Sequence, residues 1–418
     1  MSFRALWQAL LPIGRDPGTG GYRRFSWTAA DLSCRDWFMT AAAAGGLAAE
    51  QDRDGNLWAW WDTAAEAGEA DSDRMAGASR AGAVVAGSHL DSVPDGGAFD
   101  GPLGVVSAFA AVDALRGRGF TPARPVAVAA FTEEEGARFG VACLGSRLLT
   151  GAITAEAARG LRDADGVSLA EAMAAAGADP DLLGPDDELP DRVAAFVELH
   201  IEQGRQLVDL NAVIGVGSGI WPHGRWCFDF AGRADHAGTT ALPDRRDPML
   251  PFAATAVAAR QVAGRHRALA TFGKVSVLPG GVNAIPSAVR AWLDARAPDE
   301  GGLRSVVERI TATAERAAAD HGVTVVTVPE SFSPPVEFDP ALRARLSGAL
   351  AKTGIRAPVL RTGAGHDAGV LAARIPTAML FVRNPSGVSH APREHAAWPD
   401  CETGVAALAA AIEELAAA

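Results

Sequence analysis

The sequence predicts an α/β fold with a mostly parallel sheet, and two observations support this prediction. The first is a set of short apolar runs, bounded by turn residues, at 83–91, 125–136 and 193–204. Such runs are typical of buried strands, and helical patterns alternate with them. The second is that His, Asp or Glu stands at the end of each run. Because ligands of such sheets bind beyond the carboxyl ends of the strands, the pattern also predicts where the site lies.

Length and element order predict two domains. At 418 residues, the chain exceeds the roughly 250–300 residues that one hydrophobic core usually serves. The pattern changes at the glycine-rich segment 215–219, which we interpret as a hinge. The elements that follow have the order β-α-β-β-α-β, which is typical of a ferredoxin-like α+β domain. We therefore expect a discontinuous sheet domain, 1–214 with 331–418, and an inserted domain at 215–330. The polar stretch 62–82 is predicted to be a surface loop.

Composition and charge exclude several kinds of partner. A net charge of −12 and a pI near 5.3 argue against nucleic acid and against an anionic membrane surface. No apolar stretch approaches the roughly 18 residues of a membrane span, and the N-terminus lacks the apolar core of a signal peptide. We therefore expect a cytoplasmic protein. The four cysteines form no C-x-x-C pair and are expected to be buried or idle thiols.

The polar residues at the strand ends form a candidate metal site. They are His89, Asp91, Asp100, Glu133, Glu134, Glu135, His200 and His390. His89 and Asp91 share one face of a strand end, so His89 can bind a metal while Asp91 orients its ring. Asp100 lies in a glycine-rich loop and can bridge two ions with its two oxygens.

The three consecutive glutamates repel one another unless a cation or a proton compensates their charges. One glutamate as a ligand and one as a general base would satisfy this requirement. Any single histidine of the set is more often a core residue, and it is their joint position at strand ends that favours a metal. Zinc is the usual metal for such a donor set, and manganese is the alternative.

At five motifs the chain resembles the hydantoinase/carbamoylase branch of the dinuclear-metal aminoacylase and carboxypeptidase superfamily. The motifs are GSHLDSV at 87–93, GAFDG at 97–101, TEEEGARF at 132–139, ELHIEQG at 198–204 and SHAP at 389–392. The resemblance covers nearly the whole chain. It implies two divalent metal ions, one bound by His89, Asp100 and His200 and the other by Asp100, Glu135 and His390. It also implies that Glu134 is the general base for a water that bridges the two ions.

Further residues are candidates for contact with the substrate. Gln203 follows His200 by three positions and can donate to a substrate amide. By the resemblance, His236 polarises the scissile carbonyl from the partner subunit with help from Asn283, Arg296 binds the substrate carboxylate, and His366 contacts the substrate. Without the resemblance, each is more simply a turn or strand-end residue. The resemblance thus implies a homodimer, in which the inserted domain serves as lid and dimerisation domain.

The expected activity is hydrolysis of the carbon–nitrogen bond of a ureido or carbamoyl group on a small carboxylic acid, such as allantoate or an N-carbamoyl-L-amino acid. The alternatives are an N-acyl (for example N-formyl) amino-acid deacylase or dipeptidase of the same superfamily, and a metal-containing binding protein without activity. The absence of a G-x-S-x-G motif disfavours a serine hydrolase. Similar proteins also suggest a cis peptide bond between Asp100 and Gly101.

Overall fold

The chain, seen in a computed structural model that describes residues 2–63 and 80–417, divides into two compact units. One unit comprises Met1–Gly219 and Glu337–Ala418, and the other comprises Ile220–Val336. The second unit is therefore inserted into the sequence of the first. Most of the loop predicted at 62–82 lies outside the described residues.

The first unit is built on a nine-stranded sheet. Its strands are β1 (Ala48–Gln51), β2 (Leu57–Trp61), β3 (Ala83–His89), β4 (Val126–Phe131), β5 (Val193–Ile201), β6 (Ile214–Ile220), β13 (Val336–Glu337), β14 (Val359–Thr362) and β15 (Thr377–Val382). The order is β1-β2-β4-β3-β5-β15-β6-β13, with β14 beside β6. The central strands β4, β3, β5 and β15 are parallel, as expected, whereas β1, β2 and β6 pair antiparallel with their neighbours. The sheet is therefore mixed, with a parallel centre.

Helices cover this sheet and bury its central strands. They are α1 (Phe3–Leu10), α2 (Ala29–Ala44), α3 (Pro102–Gly117), α4 (Leu144–Thr150), α5 (Ala155–Arg159), α6 (Leu169–Ala175), α7 (Leu189–Arg192), α8 (Gln206–Asp209), α11 (Pro340–Lys352), α12 (Asp367–Leu371) and α13 (Trp398–Ala416). Every residue of β3, β4 and β15 is buried, which explains why their sequences are continuous apolar runs. Helix α3 is buried along most of its length and packs on β3, β5 and α13.

The parallel centre brings the ends of four strands to one edge of the sheet. Strand β3 ends at His89, β5 ends one residue after His200, and β4 ends just before the three glutamates. Strand β15 runs parallel to β5 and ends at Val382, from which the chain leads to His390. Parallel strands present their carboxyl ends together, so residues far apart in sequence meet at this edge.

The second unit has a four-stranded antiparallel sheet in the order β12-β7-β11-β9. Its elements are β7 (His223–Ala231), β8 (Asp235–His236), α9 (Met249–Arg265), β9 (Leu269–Leu278), β10 (Ala284–Ile285), β11 (Ala288–Arg296), α10 (Glu300–Asp320) and β12 (Thr324–Ser333). Burial alternates along β11, and Val289, Leu293 and Ala295 join the core beneath the two helices. The short β8 and β10 form a separate two-stranded ribbon.

The structure also bears on three smaller predictions. The prediction of a cis peptide bond between Asp100 and Gly101 is wrong: among the described residues, the cis peptide bond lies between Leu278 and Pro279. The trans form avoids the ~2.5–4 kcal/mol of a cis non-proline bond, and Gly101 turns the chain through a φ of 82° instead. All four cysteines are buried and free. No helix in the described parts of the chain combines the length and apolar character needed to cross a membrane.

Candidate metal centre

Asp100 joins two groups of metal-ligating side chains at the sheet edge. One group is His89, Asp100 and His200, and the other is Asp100, Glu135 and His390; within each, the ligand atoms lie within 4.8 Å of one another. Oδ1 of Asp100 lies 3.1 Å from Nε2 of His200 and 3.6 Å from Nε2 of His89. Oδ2 lies 3.3 Å from Nε2 of His390, which is 3.6 Å from Oε2 of Glu135. Each oxygen of one carboxylate therefore faces a different group, as a bridging ligand requires.

The tautomers of His89 and His200 fit cation binding. Nδ1 of His89 lies 3.2 Å from the backbone oxygen of Asp91, and Nδ1 of His200 lies 2.8 Å from that of Ile201. A carbonyl oxygen only accepts, so Nδ1 carries the proton and Nε2 carries the lone pair. Both Nε2 atoms are buried without a hydrogen-bond partner, as is Oε1 of Glu135. Buried acceptors of this kind are costly unless a cation is bound, so the residues fit divalent ions.

Asp91 connects the ends of β3 and β4. Its Oδ1 and Oδ2 accept hydrogen bonds from the backbone N–H groups of Glu134 at 3.2 Å and Glu135 at 3.1 Å. The same Oδ1 lies 3.3 Å from Nδ1 of His89. Asp91 can therefore orient the His89 ring and at the same time fix the backbone that carries two of the glutamates.

The three consecutive glutamates point to three different partners. Glu133 accepts from the backbone N–H groups of Arg138 and Phe139 at 2.9 and 2.8 Å, so it closes a turn. Oε2 of Glu134 lies 3.7 Å from Nε2 of His89, whereas Glu135 faces His390. Glu133, which the sequence places among the candidate metal-binding side chains, belongs to none of the ligand groups in the structure, because its carboxylate closes this turn instead.

Burial and charge set the ionisation of this centre. Burial raises the pKa of Glu134 well above its usual range, against the attraction of His89, and raises the pKa of Glu135 to about 7. Although burial opposes it, the imidazole groups of His200 and His390 beside Asp100 lower the pKa of that carboxyl group well below its usual range. The arrangement thus provides one carboxylate that stays charged and, beside it, a carboxyl group that favours taking up a proton.

Glycine follows Asp100 for a steric reason. Gly101 has a φ of 82°, and a Cβ atom there would lie 2.5 Å from atoms of the His89 ring. A side chain would therefore displace the His89 ring, in addition to the strain of a left-handed backbone.

Gln203 and His366 both lie at this centre. Nε2 of Gln203 donates to Oδ2 of Asp100 at 2.9 Å, so in the structure it contacts the shared carboxylate. The ring of His366 is buried, with its centroid 4.5 Å from that of His200. Burial lowers the pKa of His366 well below its usual value, which keeps this imidazole neutral.

A third group of potential ligands, Glu198, His200 and His366, belongs to the same centre. The two oxygens of Glu198 already accept from the hydroxyl of Ser88 at 2.7 Å and from the backbone N–H of Ala368 at 3.0 Å. Glu198 therefore connects β3, β5 and α12, and its hydrogen bonds leave it poorly suited to bind an ion.

The remaining predicted residues lie in the second unit, in two places. His236 pairs with Ala284 in the β8–β10 ribbon, and the N–H of Ala237 donates to the backbone oxygen of Asn283 at 3.0 Å. His236 and Asn283 are thus neighbours. Arg296 pairs with His223 at the far end of the nine-residue strand β11. Because a strand rises about 3.3 Å per residue, roughly 26 Å separates the two ends, so the structure does not bring Arg296 to His236.

The guanidinium group of Arg296 already has an anionic partner. Its Nε lies 2.9 Å from Oδ1 of Asp294 and its Nη2 lies 3.2 Å from Oδ2. The nearby Arg225 lies 3.8 Å from the same carboxylate. Two arginine side chains therefore face the same carboxylate.

Comparisons with known proteins identify the family of the chain. The model of the peptidase family M20/M25/M40 matches residues 85–414. The chain is 37% identical to the N-carbamoyl-L-amino acid amidohydrolase of Geobacillus stearothermophilus, over 98% of both chains. It is 32% identical to the allantoate amidohydrolase of Escherichia coli, over 99% of this chain and 98% of the relative. The crystal structure of a hydantoinase/carbamoylase family amidase from Burkholderia vietnamiensis has a TM-score of 0.85 and 31% identity, covering 100% of this chain and 98% of that chain.

The family match spans most of the sequence and includes all five residues of the two ligand groups. The relatives named above cover nearly the full length of the chain at more than 30% identity. The chain is a hydrolase that belongs to the peptidase family M20/M25/M40, within its hydantoinase/carbamoylase branch.

Proposed function

We propose that the chain is a metal-dependent amidohydrolase that cleaves the ureido or carbamoyl carbon–nitrogen bond of a small carboxylic acid, such as allantoate or an N-carbamoyl-L-amino acid. The observation that carries the proposal is the position of Asp100, whose two oxygens face two separate groups of ligands beside Glu134. The names of the relatives, an N-carbamoyl-L-amino acid amidohydrolase and an allantoate amidohydrolase, support the substrate class.

In this proposal His89, Asp100 and His200 bind one divalent ion, and Asp100, Glu135 and His390 bind the other. When bound, such ions would supply Lewis acidity that polarises the scissile carbonyl and lowers the pKa of a nearby water. Glu134 takes up the proton of this water at its carboxylate and delivers it to the leaving nitrogen. Zinc is the proposed metal and manganese is the alternative, because imidazole and carboxylate donors without a thiolate suit both.

We assign the second unit the role of a ferredoxin-like lid and dimerisation domain. His236 and Asn283 would contact the scissile carbonyl, and Arg296 would bind the substrate carboxylate with its forked guanidinium group. The separation of about 26 Å along β11 supports a composite site, because one copy of this unit cannot place both ends on one small molecule. Two copies related by a two-fold axis can, with His236 supplied by the partner.

The test is a substrate panel with zinc-loaded and manganese-loaded protein, containing allantoate, N-carbamoyl-L-amino acids, β-ureidopropionate, N-formyl amino acids and dipeptides. We expect ammonia from one or more of the ureido substrates. Formate release, or amino acids released from dipeptides without ammonia, would instead establish the deacylase or dipeptidase alternative. A Glu134→Gln protein, prepared and loaded in parallel, is the control for contaminating hydrolases.

A further inference from the structure

Glu394 connects two loops of the metal centre, although it belongs to neither group of ligands. Its side chain is buried, with the residue only 4% exposed. Oε2 accepts hydrogen bonds from the backbone N–H groups of Phe99 at 3.0 Å and Asp100 at 2.9 Å. Oε1 lies 3.1 Å from the hydroxyl of Ser389. One carboxylate therefore fixes the backbone at the bridging aspartate, 294 positions away in sequence, and contacts the residue before His390.

Ser389 extends this connection to the side chain of Asp100. Its Oγ lies 3.0 Å from Oδ2 of Asp100, the oxygen that faces His390. A hydroxyl carries one proton, so it can donate to one of the two carboxylates while it contacts both. The backbone N–H of Glu394 donates to the oxygen of Ala391 at 3.0 Å, which closes the turn directly after His390.

The loop that carries Asp100 is shaped to receive this carboxylate. A Cβ atom on Gly97 would lie 2.3 Å from Oε2 and 2.4 Å from Cβ of Glu394. The backbone at Gly97 thus packs directly against the Glu394 side chain, and no other residue fits there unless the carboxylate moves.

The two groups of ligands differ in how firmly the fold supports them. The side chains of His89 and His200 are completely buried at the ends of β3 and β5. The side chain of His390 is 49% exposed and stands on a loop. The group that contains His390 therefore depends more on contacts outside the ligand set.

We propose that Glu394 is a positioning residue for the ion bound by Asp100, Glu135 and His390. Its two backbone hydrogen bonds fix the peptide that carries Asp100, and its contact with Ser389 fixes the separation of Asp100 from His390. The inference rests on the proposed dinuclear function, and it adds a residue that touches neither metal nor substrate. Loss of partners that orient metal ligands typically lowers metal affinity about 10–100-fold.

Glu202 provides a matched control. It too is a buried glutamate, and its two oxygens accept from the consecutive backbone N–H groups of Gln206 and Leu207, at 2.6 and 3.0 Å. These side-chain hydrogen bonds lie at the start of α8, away from the bonds that fix Asp100 and Ser389. Removal of either carboxylate leaves two backbone donors without a partner, so the general loss of stability should be similar.

The experiment is a zinc titration of metal-free protein against a competing chelator. We expect two ions in the wild-type protein. Glu394→Ala should bind one of them about 10–100-fold more weakly and the other within about threefold. Glu394→Gln should recover most of the affinity, since its amide oxygen can accept the same two N–H groups. Glu202→Ala should bind both ions like the wild type.

Two further variants keep the test decisive if Glu394→Ala does not fold. Gly97→Ala displaces the Glu394 side chain, and Ser389→Ala removes its link to Asp100; both should weaken the same ion. Two ions bound with unchanged affinity in these variants, or equal losses in Glu394→Ala and Glu202→Ala, would overturn the positioning role alone. Fewer than two ions in the wild-type protein would instead contradict the dinuclear function and this inference with it.

Discussion

The thiol of Cys143 donates a hydrogen bond to the carboxylate of Glu134, with 3.5 Å between Sγ and Oε1. The backbone N–H of Cys143 also donates to the backbone oxygen of Glu134, at 2.7 Å. Burial, together with the nearby negative charge of Glu134, raises the pKa of this thiol well above its usual value, so the sulfur keeps its proton and remains a donor. Cys143 is thus a second contact, besides His89, that orients the proposed general base.

Cys143→Ala should lower kcat while KM changes little, because the thiol donates to the proposed general base, Glu134. A hydrogen bond of this kind contributes about 0.5–1.5 kcal/mol, which corresponds to roughly a two- to tenfold loss. Cys143→Ser, which retains a donor, should recover part of the rate. Cys401→Ala, at a buried cysteine of α13, is the control. Equal rates in Cys143→Ala and Cys401→Ala would show that the contact has no influence on catalysis.

Glu134→Gln should reduce turnover by about 10²–10⁴-fold while both ions remain bound, because the residue is proposed as a base and not as a ligand. Glu135→Gln should lose one ion preferentially, since Glu135 belongs to only one of the two groups. Metal content measured by mass spectrometry alongside the rate distinguishes the two variants. Loss of both ions from Glu134→Gln would instead place Glu134 among the ligands.

Mixed dimers test the composite site. If the partner supplies His236, a mixture of His236→Ala and Glu134→Gln proteins should recover about a quarter of the wild-type activity, since half of the dimers are mixed and each has one intact site. Arg296 lies at the opposite end of β11 from His236 and should then act within its own chain, so an Arg296→Ala mixture should recover no activity. Recovery in both mixtures, or in neither once mixed dimers are verified, contradicts this arrangement.

Asp54 gives a pH-dependent prediction that is independent of the metals. It is 2% exposed, and its Oδ2 is buried without a hydrogen-bond partner. Burial, followed by the charge of Asp52, raises its pKa to about 7, whereas an unfolded aspartate titrates near 3.9. Between pH values of about 3.9 and 7, Asp54 binds more protons in the folded state than in the unfolded state. Its contribution to the stability of the fold is therefore present at low pH and is lost as the pH rises toward about 7.

Asp54→Asn, which stays neutral, should therefore gain in melting temperature relative to the wild type by a few degrees between pH 5 and pH 8. The comparison uses metal-free protein and includes Asp36→Asn, at an exposed aspartate, as a control. A difference between Asp54→Asn and wild type that stays constant over this pH range would argue against a raised pKa in the folded state.

The sequence predicts the part of the molecule that depends on local pattern. His89 and His200 stand at the ends of apolar runs, and such runs become buried parallel strands because both faces of the sheet centre are covered. Glu394 and Cys143 could not be found in this way. Their contacts join residues on different elements, and no periodicity or motif indicates which polar side chains will meet across a fold. The antiparallel direction of β1 and β2 does not follow from the sequence either, because a short apolar run does not encode the direction of its neighbour.

The insertion of the second unit imposes an order on protein synthesis. All three residues of the first ligand group leave the ribosome before this unit is made, whereas His390 and strand β15 follow it. Until β15 has been synthesised, β5 is paired with β3 alone and its other edge is exposed. Exposed strand edges of this kind promote aggregation. The proposed first ion site can thus form early in synthesis, while the proposed second site and the closure of the sheet await residues 337–418.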